Sequence, residues 1–326
     1  MLKPMSERTP RPDWVRRINL MADSVGGAAR LISLDVEEMV GIARDTTGLD
    51  RFGEFDGDWR GRLDSMVNAI ENESALSVVG RLCTRQEIIR SLRTRLFMTA
   101  KLEACPAILE EEIVAPIIVT GQARSGTSIL FELLSLDPDA RSIAAWEATN
   151  PVPQTEDIAE LMAQTEPEQE FWADIQPEYA AVHEHRSDLP VECISAMMPS
   201  FASFQWWIEN AMTSWMPDFA AALQFHEVFL KMRQFEQPKK TWVLKTPVYL
   251  PVLDLVFQFF PDAQVLLTHR DPLKTMPSGM TTLASVRWQR SDEVDLENLP
   301  AAASGSSGLK GHVQQRGGKR HFPDQV

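Results

Sequence analysis

Residues 116 to 138 read PIIVTGQARSGTSILFELLSLDP. Ile117, Ile118, Val119 and Thr120 form a short β-branched run between Pro116 and Gly121, which suits a strand buried on both faces. A glycine-bearing turn runs from Gly121 to Gly126, and the spacing then predicts a helix with Ile129, Leu130, Leu133, Leu134 and Leu136 on one side. Such a turn aims consecutive backbone N–H groups and the positive end of the helix dipole at one point, the arrangement a phosphate requires. Gly121 and Gly126 permit the tight path, Ser125, Thr127 and Ser128 add hydroxyl donors, and Arg124 can fork onto phosphate oxygens. The G-x-x-x-x-G spacing equals that of a Walker A loop, yet Thr127 stands where an NTPase carries its phosphate-reaching Lys. That substitution argues against ATP or GTP hydrolysis and demotes the reading as a P-loop nucleotide kinase, which would need Mg²⁺ and ATP. The bland alternative is a strand-to-helix turn whose glycines only serve backbone geometry; it leaves an Arg and three hydroxyls within five residues without a purpose.

Two further short runs read as strands of the same doubly buried kind, Trp242-Val243-Leu244 and Val265-Leu266-Leu267-Thr268. Between them, residues 248–260 are apolar and long enough for a crossover helix, so the order strand, helix, strand implies a parallel sheet with right-handed connections. Residues 1–112 show helical spacing, as in Ile88, Leu92 and Leu96, with turn residues at Gly26-Gly27, Gly48 and the Gly53 to Gly61 stretch. The expected architecture is α/β: a P-loop-like three-layer fold with a central parallel sheet and extensive helical additions. Residues 1–112 form a helical layer on a core of residues 113–299, in which a helical insertion occupies about 139–240.

The chain has 326 residues, 44% hydrophobic and 24% charged, enough to bury a large core without metal or disulfide staples. Its net charge of −14 repels a phosphate backbone, which excludes nucleic acid as an expected partner. Cys83, Cys105 and Cys193 are odd in number and widely spaced, which fits a reducing, cytoplasmic compartment and no zinc site. No run of about 18 apolar residues occurs, so neither a transmembrane segment nor an export signal is expected. Residues 300–326 hold five of the 16 glycines and four basic residues against one acid, the composition of a flexible tail.

Gly121-x-x-Arg124-Ser125-Gly126-Thr127-Ser128, followed by Asp137-Pro138 and Trp146-Glu147-Ala148, resembles the 5′-phosphosulfate loop of PAPS-dependent sulfotransferases, in particular the bacterial branch similar to the tyrosylprotein enzymes. Val243-Leu244-Lys245-Thr246-Pro247 is similar to that family's L-K-S/T-P strand end. Thr268-His269-Arg270-Asp271-Pro272 with Ser278 is similar to its 3′-phosphate signature. The resemblance implies PAPS as co-substrate, held by Gly121, Arg124, Ser125, Gly126, Thr127, Ser128, Arg270 and Ser278, with no metal. Two separate anion sites at the carboxyl ends of parallel strands fit such a nucleotide.

The resemblance departs from the family in two places. Ala123 stands where family loops carry Pro, and family chains continue past the segment ending here near Asp295 into further helices and a covering loop. A truncation or shifted reading frame near residue 300 is the expectation, with Arg316-Gly317-Gly318-Lys319 read as a solvated basic stretch.

The expected reaction moves a sulfuryl group to a hydroxyl or amine of a small-molecule acceptor by in-line transfer. Glu147 is the expected base, placed by the W-E-A segment where related enzymes carry a catalytic Glu; its plain alternative is a helix N-terminal charge. Lys245, helped by Arg124, would stabilise the leaving phosphate, and its alternative is a strand-end Lys reaching solvent. His183 and His185 are rivals for the base because imidazole exchanges protons near neutral pH. Residues 194–235, rich in Met, Phe and Trp, offer either helical core or a wall for an apolar alcohol, sterol, lipid or phenol. The competing reading is a catalytically impaired remnant that binds PAP or PAPS without turnover.

Overall fold

The computed structural model describes residues 3–297 and 299, apart from 236, 238 and 239. The expectations placed on the tail therefore lie outside the described residues.

Three helices dominate the first part: α1 (Val36–Thr47), α2 (Trp59–Glu73) and α3 (Val78–Ala104). Each begins on a side-chain cap, with Asp35, Asp58 and Ser77 accepting from the amides of Glu38, Gly61 and Gly80. Strand β1 (Ile117–Gly121) leads into α4 (Thr127–Ser135), then into the two-residue strand β2 (Ala140–Arg141) and α5 (Ala145–Thr149). Helices α6 (Ile158–Ile175) and α7 (Phe219–Phe235) are the two longest of the insertion. The chain closes on β3 (Thr241–Lys245), α8 (Leu253–Phe259), β4 (Gln264–Thr268) and α9 (Pro272–Arg290).

The four strands run parallel in the order β2-β3-β1-β4. β1 lies between β3 and β4, so the crossover through α8 steps over it. Registers of Gly121 with Thr268 and of Val119 with Lys245 end β1 and β4 level, with β3 ending two residues short of them, at one edge of the sheet. Side chains alternate as the pleat demands: Ile118, Trp242 and Leu244 join the cluster of Phe225, Phe229 and Phe260, whereas Val119 and Val243 meet Phe131 on the other face.

Two expectations are corrected here. The apolar residues of α4 do not form one buried stripe: Leu130 and Leu134 pack with Phe131 on the sheet, while Ile129, Leu133 and Leu136 are exposed. A helix that short has room for only one sheet-facing row. β4 is also not buried on both faces, because it is the sheet's edge and Leu267 is 60% exposed.

The helices before residue 112 share a core with the second part of the insertion, where Met39, Leu63, Ile88, Leu92 and Leu96 surround Phe201, Trp206 and Trp215. The Met- and aromatic-rich stretch is thus mainly helical core. No helix among the described residues is long and apolar enough to cross a membrane.

Candidate active site

The turn after β1 has the conformation that its glycines allow. Gly121 has φ +147°, and a side chain there would run into the carbonyl and hydroxyl of Thr268 on β4. Gly126, at φ +102°, opens α4 without any side-chain cap, so the first-turn amides of that helix face outward unclaimed by a carboxylate. Arg124 lies between them at φ +70°, a left-handed conformation that lifts its side chain off the loop. Ser125 fixes the turn through Gln122 O at 2.5 Å and Thr268 Oγ1 at 2.6 Å.

The second predicted anion site meets the first. Asp271 caps α9 by accepting from the Leu273 amide at 2.9 Å, with Pro272 at the first helical position, which holds Arg270 at the rim beside the loop. Arg124 Nε donates to Ser278 Oγ at 3.0 Å, and Arg270 Nη1 lies 3.4 Å from the Arg124 carbonyl. Two blocks 154 residues apart in sequence therefore form one cationic rim. His269 is exposed.

Lys245 ends β3 almost wholly buried and donates to Ser128 Oγ at 3.1 Å. It also pairs with Glu192, and Thr246 Oγ1 donates to the same carboxylate at 3.3 Å. The Thr246 carbonyl accepts from Thr120 Oγ1 at 2.9 Å, which locks the ends of β1 and β3 together beneath this pair. Glu192 is half-buried and opens the short helix Cys193–Ala196. Sequence reasoning missed it. Its only signal was a carboxylate in the Leu189-Pro190-Val191-Glu192-Cys193 run, close after the two histidines already considered.

Glu147 is not in this group. It is buried, with Oε1 accepting from Arg141 at 2.9 Å and from Arg233 at 2.8 and 3.2 Å, and Oε2 accepting from the Ala144 amide at 3.1 Å. Three N–H donors converge on Oε1 and one on Oε2, and the carboxylate fastens β2, α5 and α7 to one another. The expectation of a base at Glu147 meets a different arrangement: among the described residues none of its hydrogen bonds reaches the loop, Lys245 or Arg270. His183 is exposed, with Nδ1 against the Glu184 carbonyl at 3.0 Å. His185 stacks on Trp172 at 5.0 Å, and burial, with His183 next to it, pushes its imidazole down to about 3, so it is neutral at physiological pH. Among the described residues, no group of three or more His, Cys, Asp or Glu side chains is placed to hold a metal ion.

The chain has counterparts among known proteins. Residues 116–325 match the model of the sulfotransferase family. The crystal structure of sulfotransferase STF1 from Mycobacterium tuberculosis H37Rv superposes with a TM-score of 0.64 at 26% identity, over 85% of this chain and 79% of that one. That of sulfotransferase STF9 from Mycobacterium avium gives a TM-score of 0.67 at 22% identity, over 82% of this chain and 71% of that one. No curated protein matches. The family model covers well over half of the chain and begins on β1, at the loop where Arg124, Lys245 and Ser278 come together; the chain belongs to the sulfotransferase family and is a transferase.

Proposed function

We propose that this chain transfers a sulfuryl group from PAPS to a hydroxyl of a small-molecule acceptor, with Glu192 as the base. The loop fits such a donor: Gly121 leaves no room for a side chain, the α4 amides are uncapped, and Arg270 and Ser278 supply a second anion site beside Arg124. The nucleotide supplies the activated sulfuryl group. Gly121 to Ser128 would hold its phosphosulfate and Arg270 with Ser278 its 3′-phosphate.

The observation that carries this reading is the contact of Lys245 with both Ser128, in the first turn of α4, and Glu192. One ammonium thereby joins the anion loop to a carboxylate. Glu192 takes the acceptor proton as the acceptor oxygen attacks, and Lys245, once beside the leaving phosphate, offsets the charge that develops there. Free Cys83, Cys105 and Cys193 support a cytoplasmic setting.

The test uses radiolabelled PAPS with 2-naphthol as acceptor, beside calorimetric titration with PAP. Glu192→Gln should keep PAP affinity within a few-fold and lower transfer by roughly 10²- to 10⁴-fold. Full transfer in that variant removes the base role from Glu192. PAP binding by a wild-type chain that turns over no acceptor would favour a nucleotide-binding remnant, and no PAP binding by the folded chain would overturn the donor assignment.

A further inference from the structure

A cavity of about 400 Å³ lies between α3, α5, α6 and α9, bounded on one side by Val191 and Ser195. Those two residues bracket Glu192, so one wall of the cavity is the segment that carries the proposed base. Tyr179 ties the two places together from the other direction. Its buried ring packs on Trp172 at 5.4 Å and on His185 at 5.6 Å, both cavity residues, and its hydroxyl lies within the electrostatic reach of Glu192 and Arg124. Of the Met- and aromatic-rich stretch, Met198 lines this space; the aromatic wall comes instead from Phe171, Trp172 and His185.

The lining is not uniformly apolar. Arg290 reaches in from α9 and Glu87 from α3, both more than nine-tenths buried. Arg290 Nη2 donates to Glu87 Oε1 at 2.6 Å and to Glu209 Oε2 at 3.1 Å. Arg290 Nη1 and Glu87 Oε2 have no partner in the protein, and neither does His185 Nε2. A buried donor and a buried acceptor left side by side cost free energy unless something in the cavity meets them. A hydroxyl does both at once, accepting from Arg290 and donating to Glu87.

The charges on this wall cancel. Glu87 faces Arg290 across the cavity wall, and burial, with the Glu87 carboxylate beside it, raises Glu209 against the pull of Arg290, which favours its neutral form. His185 is neutral, and Arg90 is paired with Glu168. A net charge on a ligand would find nothing to offset it.

We propose that this cavity is the acceptor site and that it takes a neutral, ring-bearing alcohol or phenol with a second hydroxyl seated on Arg290 Nη1 and Glu87 Oε2. The proposal rests on Glu192 as the place of transfer, since that is what gives this cavity its reacting end. Its volume lies at the lower end for small-molecule sites, room for roughly two to four rings.

Calorimetry without any nucleotide tests the site apart from the reaction. The probes are 4,4′-dihydroxybiphenyl, 4-hydroxybiphenyl and 4′-hydroxybiphenyl-4-carboxylate. The dihydroxy probe should bind at least 10-fold more tightly than either of the others, the scale of a hydrogen bond to charged groups. Glu87→Gln should erase its advantage over 4-hydroxybiphenyl. Ala148→Trp, which fills the cavity at a cost in thermal midpoint because Ala148 is buried in the core, should abolish binding of the dihydroxy probe while PAP affinity stays near wild type. Equal binding of the three probes, undiminished binding to Ala148→Trp, or no binding to a chain that still binds PAP would each overturn the proposal. Cavity binding by a chain that fails to bind PAP would leave the pocket standing and remove the donor assignment instead.

Discussion

Lys245 and Glu192, 53 residues apart, pair at the carboxyl edge of the sheet, and the same ammonium bonds Ser128 in the first turn of α4. The lysine is buried at the end of β3, so its half of the pair is held by the strand, while Glu192 comes from the segment that opens the short helix Cys193–Ala196. Removing the ammonium leaves Glu192 without its charged partner and, on the proposed reaction, takes one cation from the leaving phosphate.

Lys245→Met should lower turnover by roughly 10²- to 10³-fold, the scale of losing one preorganised charge stabiliser. PAP affinity should change far less, because the loop amides and Arg270 remain. Single-turnover transfer set beside PAP titration separates the two quantities, and an equal loss in both would make Lys245 a binding residue only.

Arg124 Nε and Ser278 Oγ are 3.0 Å apart, with Arg270 against the Arg124 carbonyl. Arg270→Ala should weaken PAP by roughly 10- to 100-fold, as expected for a charge-assisted contact, and should flatten the dependence of binding on salt. Ser278→Ala should cost less than Arg270→Ala. The Arg124→Ala, Ser278→Ala double variant should lose less than the product of its single variants, because each of the two removes the contact on which the other depends.

The anion loop was legible in the sequence because a strand, a turn and a helix contiguous in the chain make it. Arg270 and Ser278 were legible for the same local reason, being eight residues apart across one helix start. Glu192 was not, since only the fold carries the 191–195 segment to the end of β3. Glu147 shows the converse: in the W-E-A segment it looks like a free carboxylate, and its partner Arg233 lies 86 residues on. The two-residue β2 has no run long enough to show alternation, and the exposure of Leu267 follows from β4 being an edge, a property of topology and not of composition.

Asp56 and Arg95 make a fully buried two-point ion pair, at 2.7 and 2.9 Å, with Arg62 on the same carboxylate at 2.8 Å. Arg95 also donates to the carbonyls of Gly53 and Pro199, and its guanidinium lies over the rings of Phe55 and Trp59. Asp56→Leu strands two guanidiniums and should destabilise the fold by about 3–5 kcal/mol, read as a lowered urea midpoint. Adding Arg95→Met to it should restore part of that loss. A smaller effect than 1 kcal/mol in the single variant would mean that the pair does not organise this junction.

His226 is fully buried in α7, with Nδ1 3.0 Å from the Tyr249 hydroxyl and Nε2 without a partner, and burial lowers its imidazole from the ordinary 6.5 to about 3. The unfolded chain thus binds a proton at this position below pH 6.5 that the folded chain refuses until pH falls near 3. Stability is fully present above pH 6.5 and is lost as pH falls from there, by about 2 kcal/mol between pH 6.5 and 5 for this residue alone. Glu209 acts in the opposite sense. Its raised value, about 8, favours the protonated folded chain, so its contribution fades as pH rises from 4.5 through 8. Comparison with His226→Gln isolates the histidine, because Glu209 contributes equally to both chains. The variant should be less stable at pH 8 for loss of packing, yet its unfolding free energy should fall less steeply from pH 7 to 5, by about one proton. Parallel curves for the two chains would show that His226 takes no part in the acid response.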